Sequence, residues 1–119
     1  MTSLHVLVVD DNHTNRLLPG LFLRPLGHVV NECDSAATAL DWLSQHPCDV
    51  VLLDISMPTV SGLTLCRQLR QQPAMAHLRI VAYTAHALPE ELDILAQAGF
   101  NKVLTKPITS HDLLQALSD

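Results

Sequence analysis

With 119 residues, the chain is long enough to bury one hydrophobic core and is the length of one domain. Apolar residues make up 48% and charged residues 16%, which is typical of a globular protein and excludes a disordered segment. The formal net charge of −5 argues against nucleic-acid binding as the main task. No apolar run approaches the roughly 20 residues of a membrane span, so we expect a cytoplasmic domain without membrane contact of its own.

Five short apolar runs predict β-strands. They cover residues 4–9, 29–30, 49–54, 80–84 and 102–105, and the second run is the weakest. Most of these runs are apolar at successive positions, so both faces of each strand are apolar. Such strands are typical of a parallel sheet that helices cover on both sides.

Segments with helical periodicity separate the strands. One apolar stripe comprises Ala36, Ala39, Leu40 and Leu43, and another comprises Leu65, Cys66 and Leu69. Ser35 suits the N-cap of the second helix. Pro89, followed by two glutamates, suits the start of the fourth helix, and Gly99 suits its left-handed end. The segment from Thr109 to Asp112 resembles a capping box at the start of the last helix.

The first helix contains residues that disfavour a helix. Pro19 and Gly20 lie in its middle and Pro25 near its end. An interior proline costs about 3 kcal/mol and a glycine about 1 kcal/mol, so the segment should kink or break. The alternative is that tertiary packing absorbs Pro19 with a local kink.

Strand and helix alternate five times, with no linker, repeat or low-complexity segment, so residues 1–119 are interpreted as one domain. Right-handed crossovers between parallel strands make this an α/β protein with a doubly wound, five-stranded parallel sheet and five helices. In such sheets the ligand crevice lies beyond the carboxyl ends of the strands.

Polar residues stand where four of these strands end. Asp10 and Asp11 follow the first strand, Asp54 ends the third, Thr84 ends the fourth and Lys106 follows the fifth. Taken singly, such an aspartate can be a turn residue or a helix cap, the threonine an ordinary strand residue and the lysine a solvated charge. Together they fall on the edge where a ligand crevice is expected, which favours one shared site.

Three carboxylates, a hydroxyl and an amine are the groups that a magnesium-dependent phosphoryl-acceptor site needs. Crowded carboxylates raise one another's pKa values, and a divalent cation offsets both this repulsion and that of an incoming phosphoryl group. On this hypothesis Asp54 supplies a metal ligand and the acceptor oxygen. Lys106 holds one phosphoryl oxygen, and Thr84 donates a hydrogen bond to another.

Four segments resemble the receiver domains of two-component response regulators, the CheY-like family. They are Val9-Asp10-Asp11-Asn12, the stretch from Leu53-Asp54-Ile55-Ser56-Met57-Pro58 through Gly62, Tyr83-Thr84-Ala85, and Lys106-Pro107. They occur in the family's order and approximate spacing. The first segment with Asn15-Arg16, together with residues 84–87, is most similar to receivers of hybrid sensor histidine kinases. The resemblance implies a flavodoxin-like fold with the strand order 2-1-3-4-5.

The resemblance also implies a metal site and a function. Asp54 would be the phosphoacceptor and would bind Mg²⁺ or Mn²⁺ together with Asp10, Asp11 and the main-chain carbonyl of Ser56. The phosphoryl group would come from a phosphohistidine on a histidine kinase or a histidine phosphotransfer domain, as one step of a phosphorelay. Whether the chain counts as an enzyme stays open. The domain alone would only promote transfer to, and hydrolysis from, its own Asp54, although a parent chain could be a histidine kinase.

The remaining roles also follow from the resemblance. Thr84 would be the switch hydroxyl, Ala85 the small residue that leaves room for the phosphoryl group, and Lys106 the ion-pairing lysine. The bond between Lys106 and Pro107 would be cis. His86 is a further candidate, either as a residue that controls water access to the phosphoryl group or as an exposed loop histidine.

The chain departs from the family three positions before the lysine. An aromatic residue usually stands there and rotates inward on phosphorylation, but this chain has Val103. A β-branched aliphatic side chain cannot make that swing. We therefore expect little phosphorylation-driven change on the surface of the fourth and fifth helices, which suits a relay or regulatory receiver.

Other functions fit parts of the pattern. A receiver-like docking module would regulate a kinase without phosphoryl transfer, but its charged motifs would usually be eroded, and here they are intact. A phosphatase with an aspartate nucleophile would have an Asp-x-Asp-x-Thr pattern, whose second aspartate is missing after Asp10 and after Asp54. A flavin site would need a phosphate loop richer in glycine than residues 12–15. The chain is either a standalone single-domain response regulator or a piece of a longer protein, such as the cytoplasmic part of a membrane-bound sensor kinase.

Cysteine and histidine add little. Cys33, Cys48 and Cys66 form no Cys-x-x-Cys pair, so reduced and mostly buried thiols are expected. The seven histidines are scattered without a His-x-x-x-His spacing, which argues against a zinc site.

Overall fold

A computed structural model describes residues 3–85 and 88–118, the last of these by its backbone alone. Five parallel strands pair in the order β2-β1-β3-β4-β5, which confirms the predicted doubly wound, flavodoxin-like fold. The strands are β1 (His5–Val9), β2 (Val29–Cys33), β3 (Val50–Asp54), β4 (Arg79–Thr84) and β5 (Lys102–Thr105). The helices are α1 (His13–Leu23), α2 (Ala36–Gln45), α3 (Gly62–Arg70), α4 (Pro89–Ala98) and α5 (Ser110–Ser118), with 3₁₀ turns at Arg24–Leu26 and Pro73–Met75.

Alternate strand residues face two separate apolar layers. Leu7, Val9 and Leu53 face a cluster formed with residues of α2, α3 and α4. Val8 and Leu52 face the other cluster, to which α1 and α5 contribute. Helices therefore cover both faces of the sheet, as strands with two apolar faces require. The carboxyl ends of the strands remain as the edge where polar groups meet.

The strand that was hardest to predict is longer than its apolar run. The sequence indicated only residues 29–30, whereas β2 extends to Cys33 and pairs with β1 along its whole length. Asn31 and Glu32 are polar and half-buried because β2 is an edge strand. Because these two residues are polar, the apolar pattern did not extend over them, and it therefore did not indicate the second half of β2.

The first helix is not broken at Pro19. It runs without interruption from His13 to Leu23, with Pro19 and Gly20 both buried. Packing of this face onto the sheet accounts for a helix that propensity alone disfavours. The helix then tightens into the 3₁₀ turn that contains Pro25, and Gly27 ends that turn at φ 93°. The expected break at Pro19 is therefore wrong, and packing accommodates this proline within the helix.

The predicted helix ends are confirmed. Ser35 caps α2 in a capping box, Pro89 is the first residue of α4, and Gly99 ends α4 at φ 112°. The Asp112 amide donates to Thr109 Oγ1 over 3.1 Å, as expected at the start of α5. None of the described helices is long and apolar enough to cross a membrane.

The three thiols are free and buried. Burial raises the pKa of Cys48 and of Cys66 to about 11, so both remain protonated at neutral pH and pack as small apolar groups.

Candidate functional site

The sheet brings the predicted site residues together at its carboxyl edge, which we define by Asp10, Asp54, Thr84 and Lys106. Strands β1, β3, β4 and β5 are consecutive neighbours, and their ends lie within one residue of register: Val9 pairs with Leu53, Asp54 with Tyr83 and Thr84 with Thr105. Asp54 and Thr84 end β3 and β4, whereas Asp10 and Lys106 come directly after β1 and β5. Residues that are 96 positions apart in sequence therefore become neighbours.

Three carboxylates form one cluster at this edge. Asp10, Asp11 and Asp54 each offer an oxygen, and these oxygens all lie within 4.8 Å of one another. Asp10 and Asp54 are buried, with 0% and 4% of their surface exposed, while Asp11 is exposed. Main-chain amides hold the buried pair: Asn12 N donates to Asp10 Oδ1 (2.9 Å) and Ser56 N to Asp54 Oδ1 (3.0 Å).

Lys106 places its ammonium between the two buried carboxylates. Its Nζ lies 3.0 Å from Asp10 Oδ2 and 3.6 Å from Asp54 Oδ1. The Lys106 amide donates to the Thr84 carbonyl over 2.7 Å, which ties this lysine to the end of β4. The contact with Asp10 is an ion pair without hydrogen-bond alignment, and among the described residues Asp10 Oδ2 has no hydrogen-bond partner. One ammonium therefore leaves part of the negative charge unbalanced.

The electrostatics of Asp54 reflect this imbalance. Burial raises the pKa of Asp54 to about 6, and the neighbouring Asp10 carboxylate acts in the same direction. The Ser56 amide and the Lys106 ammonium act in the opposite direction, but they do not restore the ordinary pKa. A second cation beside the carboxylates would favour the ionised form.

The loop after β3 holds Asp54 through close backbone packing. A Cβ atom on Gly62 would overlap the Asp54 carbonyl oxygen and lie 2.7 Å from Ile55 Cα, so only glycine fits at the start of α3. Within the same loop, Val60 N donates to the Pro58 carbonyl over 2.8 Å, and the residue between them, Thr59, has φ 68°. This is the rarer γ-turn with positive φ, which strains a β-branched residue.

Two supporting residues were not recognised as such from the sequence. Arg16 Nη1 donates to the Asp10 carbonyl (2.9 Å), and its Nε lies 3.2 Å from Glu32 Oε1, which fixes the backbone at the first aspartate. Tyr83 is 1% exposed, and its ring centroid lies 4.8 Å from Lys106 Nζ. Arg16 stood in a segment noted only for its family resemblance. Tyr83 belonged to the predicted strand 80–84, and its alternation with Thr84 is the sequence signal for the direction of its side chain.

The other predicted residues lie around this edge. Thr84 is buried, whereas Ala85 and Ser56 are exposed. The bond between Lys106 and Pro107 is cis, as the resemblance implied. Val103 is half-buried and packs against the cluster shared with α2, α3 and α4. His86 lies outside the described residues.

The donors present fit a hard divalent cation. All three ligand groups are carboxylates, one of them is exposed, and no hydrogen bond from residues 3–85 or 88–118 reaches the buried Asp10 Oδ2. Oxygen ligands with room for water are what Mg²⁺ prefers. The arrangement can therefore bind such an ion and hold a phosphoryl group beside it.

This fold and site define a receiver domain, and residues 6–118 match the response regulator receiver domain family. The chain belongs to this family. Receiver domains bind Mg²⁺ through acidic residues, and the cluster of three aspartates is of this kind. The signal transduction histidine-protein kinase BarA of Escherichia coli (strain K12) is 36% identical over 115 residues, which are 94% of this chain and 12% of the relative. The sensor histidine kinase GacS of Pseudomonas protegens is 38% identical over 115 residues, again 94% of this chain and 12% of the relative.

Solved structures agree with these relatives. Chemotaxis protein CheY4 of Vibrio cholerae superposes with a TM-score of 0.91 at 26% identity, covering 98% of this chain and 97% of that one. The receiver domain of a sensor histidine kinase from Pseudomonas aeruginosa, solved with a magnesium ion in its active-site cleft, gives a TM-score of 0.86 at 29% identity, covering 98% and 95%. The predicted similarity to receivers of hybrid sensor kinases, which act in phosphorelay signalling, is thereby confirmed.

Proposed function

We propose that Asp54 accepts a phosphoryl group from a phosphohistidine in a reaction that requires Mg²⁺ or Mn²⁺. The observation that carries this proposal is the convergence of Asp10, Asp11 and Asp54 around one point, with the Lys106 ammonium between the two buried carboxylates. A buried acid cluster with one cation is poised for a second cation and an anionic ligand.

The residues divide the work of the transfer. An Asp54 carboxylate oxygen attacks the phosphorus and forms a P–O bond, while the P–N bond to the donor histidine breaks and its electron pair returns to the imidazole. Asp10, Asp11, Asp54 and the Ser56 main-chain carbonyl would hold the divalent ion, which when bound offsets the charge of the phosphoryl oxygens. Lys106 then pairs with one phosphoryl oxygen.

Two residues after β4 would complete the phosphoryl pocket. Thr84 is buried at the end of β4, and its hydroxyl would donate to a phosphoryl oxygen. Ala85 follows it as a small residue that leaves space for the group. Val103 lacks the aromatic ring that would follow the threonine, so the change that phosphorylation causes on α4 and α5 would be small.

The partners would be a histidine kinase or a histidine phosphotransfer domain, because the sequence relatives are sensor kinases. The chain spans 12% of the length of these relatives, and residues 1–119 would form one receiver unit of such a cytoplasmic assembly. The acidic net charge of −5 supports a protein partner and not a nucleic acid.

The test is intact-mass analysis after incubation with acetyl phosphate, with and without Mg²⁺, beside Asp54→Asn. We expect one phosphoryl adduct that needs Mg²⁺ and is absent in the variant. Asp93→Asn, which changes an exposed carboxylate on α4, is the matched control and should behave like the wild type. If neither acetyl phosphate nor a phosphorylated histidine domain gives an adduct, the transfer function is refuted and a docking module without transfer takes its place.

A further inference from the structure

Tyr83 lies beneath the lysine of the site. Its ring centroid is 4.8 Å from Lys106 Nζ, and only 1% of the residue is exposed. The lysine is itself largely enclosed, since 14% of its side chain is exposed. A cation over an aromatic face is attracted by the ring, and more strongly where water is excluded.

The sheet register explains why the ring reaches this place. Tyr83 is the register partner of Asp54 on β3 and of Leu104 on β5. Side chains alternate along a strand, and Tyr83, Leu52 and Leu104 share one apolar layer. Asp54 and Lys106, each two residues further along, continue on that face. The Tyr83 ring therefore lies on the same side of the sheet as the Lys106 side chain and contacts its ammonium, which faces the carboxylates of Asp10 and Asp54.

The hydroxyl group does not explain why a tyrosine occupies position 83. It is buried and, among the described residues, has no hydrogen-bond partner. A buried hydroxyl without a partner destabilises a fold, so an apolar residue of similar size would serve packing alone at least as well. Outside the apolar core, the structure shows a contact of this side chain with the Lys106 ammonium.

We propose that Tyr83 is a positioning residue for phosphoryl transfer, whose ring holds the Lys106 ammonium between Asp10 and Asp54. This proposal rests on the transfer function proposed above. A four-carbon side chain has many rotamers, and the ring restricts them to those that point at the carboxylates. The lysine then meets the phosphoryl group without first having to be ordered.

The test is a double-mutant cycle on the rate of adduct formation with acetyl phosphate and Mg²⁺. We expect Tyr83→Phe, which keeps the ring, to stay within about twofold of the wild type, and Tyr83→Leu to lose about five- to tenfold. In a Lys106→Met background, Tyr83→Leu should change the rate by less than about twofold, because the residue through which it acts is gone. Equal losses in both backgrounds would overturn the proposal, as would a Phe variant as slow as the Leu variant.

A control separates positioning from packing. Val81→Ala removes a buried side chain from the same face of β4, two residues before Tyr83. It should lower the unfolding temperature, and any effect on the rate should be the same with Lys106 and with Met at that position. Circular dichroism establishes that each variant is folded.

A second measurement distinguishes failure of this proposal from failure of the transfer function. In the proton NMR spectrum, the ring current of Tyr83 should shift the Lys106 Hε signals upfield, and the shift should persist in Tyr83→Phe and vanish in Tyr83→Leu. If the wild type forms an adduct but shows no such shift, the positioning role is refuted while the transfer function stands. If the shift is present but no donor phosphorylates the wild type, the transfer function is refuted, and with it any role of Tyr83 in transfer.

Discussion

The edge of the sheet where the strands begin and the edge where they end satisfy their polar groups in different ways. At the beginning, which we call the amino edge, Arg70 from α3 donates from Nε to the Gly99 carbonyl (2.9 Å) and from Nη1 to the Leu78 carbonyl (2.6 Å). Its Nη2 donates to Asn101 Oδ1 (2.8 Å), which also accepts from the Ile80 amide (2.8 Å). One cation thereby fastens the end of α3 to the segments that enter β4 and β5.

At the carboxyl edge the cation is outnumbered. Lys106 faces two buried carboxylates, an exposed third lies nearby, and Asp10 Oδ2 has no hydrogen-bond donor among the described residues. The amino edge is not perfect either, since the buried Arg79 Nη2 has no hydrogen-bond partner in the part of the chain that the structure describes. The two edges nevertheless differ in what their polar groups contact. Polar groups at the amino edge bind one another and stabilise the fold, whereas those at the carboxyl edge are left to bind a ligand.

The two edges also differ in their backbone. The left-handed positions at the amino edge are filled by glycine, with Gly27 at φ 93° and Gly99 at φ 112°. At the carboxyl edge, a left-handed position among the described residues is filled by Thr59 at φ 68°. Strain of this kind persists where the surrounding structure holds it in place, and it is concentrated at functional sites. Substitutions at the amino edge should therefore change stability without changing the rate of adduct formation, whereas substitutions at the carboxyl edge can change both.

The largest effect is expected at Gly62. In Gly62→Ala the new methyl group meets the backbone of Asp54 and Ile55, which cannot move without moving the Asp54 side chain. We expect a loss of about 3 kcal/mol in the free energy of unfolding and slower adduct formation, measured by urea denaturation and intact mass. Gly20→Ala is the control, because its methyl group meets only the guanidinium end of Arg24. Equal stability of the two variants would contradict the close packing at this edge.

The next effect tests the amino edge. Arg70→Met keeps the aliphatic stem but leaves the carbonyls of Leu78 and Gly99 without this donor. We expect a loss of about 2 kcal/mol in the free energy of unfolding with an unchanged rate of adduct formation under folding conditions. Arg67→Met, at an exposed position on the same helix, should cost less than about 0.5 kcal/mol. A changed rate in Arg70→Met would show that the edges are coupled.

Much of this architecture could be predicted from the sequence, because it depends on local patterns. Apolar runs located four of the strands closely, and the polar residues at their ends located the carboxylates and the lysine. The second strand was underestimated because Asn31 and Glu32 interrupt its apolar run, and α1 looked breakable because propensity ignores the packing of Pro19.

The features that could not be predicted from the sequence depend on contacts between segments that are far apart along the chain. Arg70 bonds to Gly99 and Asn101, which are 29 and 31 residues away, and nothing in its own neighbourhood indicates this. Tyr83 was visible as an aromatic strand residue, but its contact with Lys106 requires the register of β4 and β5. Thr59 carries no sign of positive φ, since its residue type favours the opposite.

A smaller effect is expected when the charge of Asp54 is removed at the carboxyl edge. Here the free energy of unfolding should increase. Because the pKa of Asp54 is raised to about 6, the folded protein binds a proton that the unfolded chain has released above about pH 4. Stability of the wild type relative to Asp54→Asn should therefore fall as the pH rises from about 4 to about 6 and stay lower above that range. Without Mg²⁺ at pH 7, we expect Asp54→Asn to be more stable by between about 1 and 2 kcal/mol.

Thermal unfolding at pH 4 and pH 7 checks this prediction, with Asp93→Asn as the exposed control. Added Mg²⁺ should reduce the advantage of Asp54→Asn, because the ion stabilises the three carboxylates of the wild type together. An advantage that is the same at both pH values would mean that the buried charge of Asp54 is not its cause.

The smallest effect is expected at Thr59, where strain and ligand binding meet in one loop. Asparagine tolerates positive φ better than threonine does, so Thr59→Asn should raise the free energy of unfolding by about 0.5 kcal/mol. Gly99→Ala makes the opposite change at the amino edge, since it places a side chain at φ 112° against Arg70, and it should destabilise the fold. Denaturation curves measured side by side should thus move in opposite directions. If Thr59→Asn gains stability and also forms the Asp54 adduct more slowly, the strained turn contributes to phosphoryl transfer. If Thr59→Asn gains stability and the rate of adduct formation is unchanged, the strain at Thr59 destabilises the fold without contributing to adduct formation.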